Sequence, residues 1–227
     1  MANIIVFGAG GRAGRATVAE AVRRGHRVTA VVRDPEKYAD LADTVRADTD
    51  RADTVLADTA PAAGSVTLVA GDVTDAPSVA ALAPGHDAAI NAAAGFDPDH
   101  FTSAARALTT GLAAAGVTRL VAVGIGGALE TAPGVAAHED EGLPEEARAF
   151  SRNHAAQLPI LRASDRDWVV LAPPLVFLDE GEGTGSYRLG DAQVIPGADA
   201  FAYADLALAL VDEATAPTRS REMVAVG

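Results

Sequence analysis

The chain contains no cysteine, which excludes disulfides, thiolate metal sites and a cysteine nucleophile. Lysine is nearly absent as well: of 18 basic residues only Lys37 is a lysine. No apolar run reaches the roughly 20 residues that span a bilayer. Nor does the chain begin with a basic stretch followed by a long apolar one. A cytoplasmic protein without membrane contact is the expectation. Positive charge is scarce too, the net being −13. A surface of that sign repels nucleic-acid phosphates, so nucleic acid is not an expected partner.

What is present is apolar content, 49% of 227 residues, enough for a full core in one domain over 1–227. The first fourteen residues organise the rest. Asn3-Ile4-Ile5-Val6-Phe7 is a short continuous apolar run, as a strand buried on both faces requires. It stops at Gly8-Ala9-Gly10-Gly11-Arg12-Ala13-Gly14, after which 15–24 reads as a helix. Strand, glycine turn and helix start together make a phosphate-binding device. Glycine admits a pyrophosphate close to the backbone, and the free N–H groups of the first helical turn face the anion. Two patterns overlap here. Gly8, Gly10 and Ala13 nearly fit the dinucleotide fingerprint, and Gly8, Gly11 and Gly14 fit G-x-x-G-x-x-G more cleanly.

Strand-like runs at 27–32, 66–70, 87–91, 119–123, 168–172 and 222–226 alternate with helical stretches at 77–82, 98–115, 145–163 and 203–211, the last with Asp199 as a plausible cap. This alternation predicts an α/β fold, a Rossmann-like doubly wound parallel sheet with helices on both faces. Two stretches break it. Ala-Asp-Thr recurs at 42, 47, 52 and 57, a period that makes neither a helical stripe nor a strand face; 43–62 is expected to be an acidic surface insertion. The glycine- and charge-rich 173–200 follows a strand end and is expected to form a small C-terminal substrate-side segment.

Arg33 stands at the end of the second strand, where an arginine suits a 2′-phosphate and an acid suits a free 2′-hydroxyl. Asp34 follows it, so NADP(H) is the expected cofactor with NAD(H) possible. Arg12 could close over the phosphates.

The glycine turn, Val32-Arg33-Asp34-Pro35-Glu36-Lys37 and Gly71-Asp72-Val73-Thr74-Asp75 resemble the NAD(P)H-binding, NmrA-like atypical short-chain dehydrogenases/reductases. The stretches 123–134, 161–164 and 184–190, with Tyr203-Ala204-Asp205-Leu206-Ala207, resemble their NADH-flavin reductase branch. The resemblance spans the chain apart from the insertion. It implies that Asp72 and Val73 line the adenine pocket. It also implies that Asn91, Ala92, Ala93, Val123 and Gly124 run along ribose and nicotinamide, and that Pro173 and Pro174 shape the nicotinamide pocket.

The departures from that pattern carry information. Ordinary short-chain dehydrogenases pair a tyrosine with a lysine four residues later, the lysine lowering the tyrosine pKa. Tyr38, Tyr187 and Tyr203 all lack that lysine, and Gly124-Ile125-Gly126-Gly127 runs where a serine is common. The remaining candidates for catalysis are His154, His138 and Tyr187, with Asp191 nearby. The acidic residues Glu145 and Glu146 are read as favouring a helix start, and no metal is expected. The expected function is hydride transfer from NAD(P)H to a small planar acceptor, flavin- or quinone-like or a secondary-metabolite intermediate, by a monomer or homodimer. A redox-sensing module without turnover and a biosynthetic tailoring enzyme are the alternatives.

Overall fold

A computed structural model describes residues 1–41 and 64–227; the insertion expected over 43–62 lies outside them. The strands are β1 (Asn3–Phe7), β2 (Arg27–Val32), β3 (Ser65–Ala70), β4 (Ala88–Asn91), β5 (Arg119–Val123), β6 (Glu130–Ala132), β7 (Val135–Ala136), β8 (Asp167–Ala172) and β9 (Glu222–Ala225). The helices are α1 (Arg12–Arg23), α2 (Ala76–Leu82), α3 (His100–Ala115), α4 (Glu145–Ala155), α5 (Gln157–Ala163) and α6 (Tyr203–Thr215). Seven strands form one sheet in the order β3-β2-β1-β4-β5-β8-β9, every neighbouring pair parallel. β6 and β7 make a separate antiparallel hairpin.

Alternate residues of β1 feed two apolar layers. Ile4 and Val6 pack with Val18 and Val22 of α1 and Leu206 and Leu210 of α6, while Ile5 and Phe7 pack with Val79 of α2 and Leu108 and Leu112 of α3. Both sheet faces are therefore covered, which is why β1 reads as an unbroken apolar run. Chain order reverses beside β1: β2 and β3 lie to one side, β4 and the later strands to the other. The connections leaving β1 and β4 diverge there, opening a cleft at the carboxyl ends of the strands.

Three local differences from the sequence expectation have physical causes. The helix expected over 145–163 divides at Ala156 into α4 and α5, because Pro159 has no N–H and its ring crowds the carbonyl four residues earlier. α1 begins at Arg12 with Gly11 as its N-cap, so the glycine turn itself carries the helix N-terminus. α6 extends to Thr215 and is preceded by Ala202 at the N-cap position, where Asp199 was expected to serve. The carboxylate used there is Asp205, which is buried and accepts from the amides of Thr184 (2.9 Å) and Gly185 (2.9 Å), fastening the 183–186 loop to the helix.

Candidate functional site

The glycine turn is shaped by what has no room to be larger. Gly8 leaves β1 with φ +75°, and a β-carbon there would collide with the backbone of Ala93. At Gly14 a β-carbon would strike the carbonyl oxygen of Gly8, so α1 can approach the strand end only as glycine. Gly10 lies under the Tyr38 ring, 2.5 Å from a β-carbon position, whereas Gly11 has nothing nearer than 3.5 Å. The demanding positions are thus Gly8, Gly10 and Gly14, which divides them between the two patterns read from the sequence. The first N–H groups of α1 have no intrahelical acceptor, and no acidic side chain stands in its first turn to neutralise them. The turn therefore presents backbone amide hydrogens and no neutralising carboxylate at the start of α1.

A cleft of about 1300 Å³ crosses the carboxyl ends of the strands. Of the residues expected to hold a cofactor, Gly8, Gly10, Gly11, Arg12, Ala13, Arg33, Asp72, Val73, Ala92, Ala93, Val123, Gly124, Pro173 and Pro174 line it. Gly14 and Asn91 do not. Gly14 packs beneath the turn, and the buried Asn91 accepts from the Ala93 amide at 3.2 Å, shaping the exit of β4. Arg33 is exposed, and its guanidinium makes no ion pair among the described residues. Asp72 accepts from the hydroxyl (2.7 Å) and amide (2.8 Å) of Thr74, which hold its carboxyl below the usual carboxylate range. Arg12 lies 5.7 Å from the centre of the Tyr203 ring and 3.2 Å from the Glu180 carboxylate, linking the turn to the start of α6 and to the loop after β8.

The catalytic candidates separate sharply. His154 lines the cleft and is buried, its ring 4.0 Å from that of Phe101. Gln157 Nε2 lies 2.8 Å from His154 Nδ1 and 3.0 Å from the His154 carbonyl oxygen. A carbonyl only accepts, so this Gln157 atom is the amide nitrogen, Nδ1 accepts its other hydrogen, and the imidazole proton sits on Nε2. Burial lowers the His154 pKa to about 4, so at neutral pH the ring is an uncharged Nε2–H donor. His138 lies outside the cleft lining with Nδ1 2.7 Å from the Gly127 carbonyl, to which it donates. Tyr187 is also outside; its hydroxyl donates to Asp212 at 2.8 Å, and burial followed by that carboxylate raises its pKa. Asp191 faces Arg219 at 3.6 Å.

Sequence reasoning missed the aromatic lining: Phe96, Phe150, Phe177, Tyr38 and His100 all border the cleft. Phe150 and His154 stand one helical turn apart on α4 and meet Phe101 of α3 at ring distances of 5.5 and 4.0 Å. That i, i+4 pairing was the available signal. Phe96 and Phe177 lie in irregular loops and carried none.

A parallel sheet whose strand order reverses beside a glycine-walled cleft and a helix N-terminus defines a dinucleotide-binding protein of the Rossmann type. The model of the NAD(P)H-binding family matches residues 8–217, and the chain belongs to that family. It is 31% identical over 233 residues to the uncharacterised protein YwnB of Bacillus subtilis, across 99% of this chain and 97% of that one. Similar solved structures include a candidate exported protein from Burkholderia pseudomallei (TM-score 0.79, 30% identity, 100% of both chains). Another is a candidate NADH-flavin reductase from Streptococcus pneumoniae (TM-score 0.74, 26% identity, 100% of this chain and 99% of that one). No described helix is long and apolar enough to cross a membrane.

Proposed function

We propose that the protein is an NAD(P)H-dependent oxidoreductase of the atypical short-chain kind, preferring NADP(H), that passes hydride to a flat conjugated acceptor. The observation that carries this reading is His154, the one catalytic candidate of the sequence that lines the cleft, which is neutral and has Gln157, His100 and no lysine beside it among the described residues. Reduction of a simple ketone creates an alkoxide and calls for an acid poised at that oxygen. A flavin or quinone spreads incoming charge over its rings and asks mainly for alignment. The similarity to a candidate NADH-flavin reductase supports the same direction.

In this reading the amides of the glycine turn hold the pyrophosphate, and Arg12 covers it. Arg33, with Lys37 beside it, receives the 2′-phosphate, and Asp72 and Val73 border the adenine. Ala92, Ala93, Val123 and Gly124 run beside ribose and nicotinamide, with Pro173 and Pro174 closing the pocket. When bound, the nicotinamide supplies a hydride, and the proton that completes acceptor reduction is drawn from water. His154 offers an Nε2–H hydrogen bond to an acceptor oxygen without surrendering that proton.

Stopped-flow absorbance of NADPH with riboflavin, a quinone and a simple ketone tests this. The flat acceptors are expected to oxidise NADPH faster than the ketone, and His154→Ala to slow them less than tenfold. Rapid ketone turnover abolished by His154→Ala would overturn the reading. NADPH binding without oxidation by any acceptor would instead favour a redox-sensing module.

A further inference from the structure

The cleft is electrically divided. Its formally charged lining residues, Arg12, Arg33, Asp34, Lys37 and Asp72, all come from the glycine turn and the segments following β2 and β3. The portion beyond β4, β5 and β8, together with the facing side of α4, contributes no carboxylate, lysine or arginine, its ionisable lining groups being His100 and His154. Five large apolar side chains are exposed among the described residues, and three of them, Phe96, Leu175 and Phe177, line this neutral portion. Phe96 is 96% exposed and Phe177 completely so. Exposed phenyl rings gathered at one cleft are unusual on a protein surface and mark a place where something apolar binds.

The two rings belong to opposite flanks of the sheet. Phe96 follows β4 and sits 6.0 Å from Phe150 of α4, which abuts Phe101 on the α2–α3 side. Phe177 follows β8; its neighbour Leu178 packs into the α1–α6 layer, and the Asp179 amide is tied to the Phe201 carbonyl at 2.9 Å. A flat ring system entering between these loops would find an aromatic face from each flank and no unpaired arginine or lysine, since Arg12, which reaches the Phe177 loop, is paired there with Glu180 at 3.2 Å.

We infer that Phe96 and Phe177 form the jaws of an acceptor subsite that selects an uncharged fused-ring acceptor and gains nothing from a phosphate on it. The inference deepens the hydride-transfer reading and rests on it. It commits to the flat-ring compound itself: an isoalloxazine without phosphate, or a neutral quinone. Aromatic stacking supplies the attraction. With Arg12 engaged by Glu180 and no other arginine or lysine in this part of the lining, a phosphorylated side chain stays in water, repelled by a protein of net charge −13.

The test uses the full chain saturated with NADP+ and follows quenching of flavin fluorescence, a binding readout independent of turnover. Riboflavin is expected to bind at least as tightly as FMN. The double variant Phe96→Ala/Phe177→Ala is expected to weaken riboflavin binding tenfold or more while the Kd for NADPH, from calorimetry, stays within twofold. Both side chains are exposed, so melting curves of parent and variant should coincide. Binding of FMN tenfold tighter than riboflavin would overturn the neutral subsite, as would unchanged riboflavin affinity in the double variant or no flavin binding at all. Failure of the parent protein to bind NADPH would instead remove the hydride-transfer reading beneath it.

Discussion

At the scale of single residues, His154 shows how surroundings convert a titratable group into a fixed donor. Gln157 occupies Nδ1, the Phe101 ring covers one side, and burial takes the pKa from 6.5 to about 4. The unfolded chain therefore binds a proton between these values that the folded chain refuses. Stability present above pH 6.5 is lost as the pH falls towards 4, to a total of about 3 kcal/mol from this group. His154→Asn should flatten the fall by about that amount, as read from urea unfolding at pH 7, 5.5 and 4.5. Equal slopes in parent and variant would assign the acid sensitivity to carboxylates. The proposed cofactor preference turns on Arg33, whose guanidinium is exposed near Asp72 with no ion pair among the described residues. Arg33→Ala should weaken NADPH binding roughly ten- to a hundredfold, the worth of a charge-assisted hydrogen bond, and leave NADH almost unchanged. Calorimetric titration of both cofactors decides it, and equal losses would show that Arg33 serves the fold or the shared phosphates.

Among the elements, β5, β8, α6 and the connection into β9 are fastened at one buried point. The Arg119 guanidinium donates to Asp167 (2.9 Å), to the Glu213 carboxylate (2.8 Å) and to the Glu213 and Arg219 carbonyls (2.9 and 3.0 Å). Glu213 in turn accepts from the amides of Thr218 and Arg219. Glu213→Ala would leave the guanidinium buried without its main counter-charge, a loss of about 3–5 kcal/mol. Thermal unfolding should show it as a Tm lower by roughly 6–20 °C for a chain of this length. Arg119→Met/Glu213→Leu removes both charges and should recover most of the loss. A single-variant Tm within 2 °C of the parent would mean that water reaches the cluster. Neither partner stands out in the sequence, because 94 positions separate them. The division of α4 from α5, by contrast, was written in Pro159 and passed over in favour of one longer helix.

For the molecule as a whole, the cleft belongs to the folded state alone, since its walls come from loops and helices far apart in the chain. A dinucleotide held there stabilises that state by mass action, about 2.7 kcal/mol at a hundred times its Kd. Melting with NADPH at that excess should rise by roughly 5–11 °C. NADH at the same concentration should raise it less, in line with the role proposed for Arg33. An unchanged Tm would count against binding in this cleft.

The architecture was legible from local pattern. Buried parallel strands need unbroken apolar runs, glycine turns need glycine, and the order of strands and helices leaves little freedom in a two-faced parallel sheet. The same short-range logic picked out the glycine turn and Arg33, both of which line the cleft. It did not reach the aromatic end of the cleft. Phe96, Phe150 and Phe177 sit in two loops and a helix, and only long-range packing makes them walls of one space. It likewise left His138, Tyr187 and His154 standing together as candidates. Packing then put Tyr187 on Asp212 and His138 on a carbonyl outside the lining, and kept only His154 in the cleft. Backbone conformation is governed by near neighbours in the chain, whereas the protonation, tautomer and company of a side chain are governed by whatever folding brings beside it.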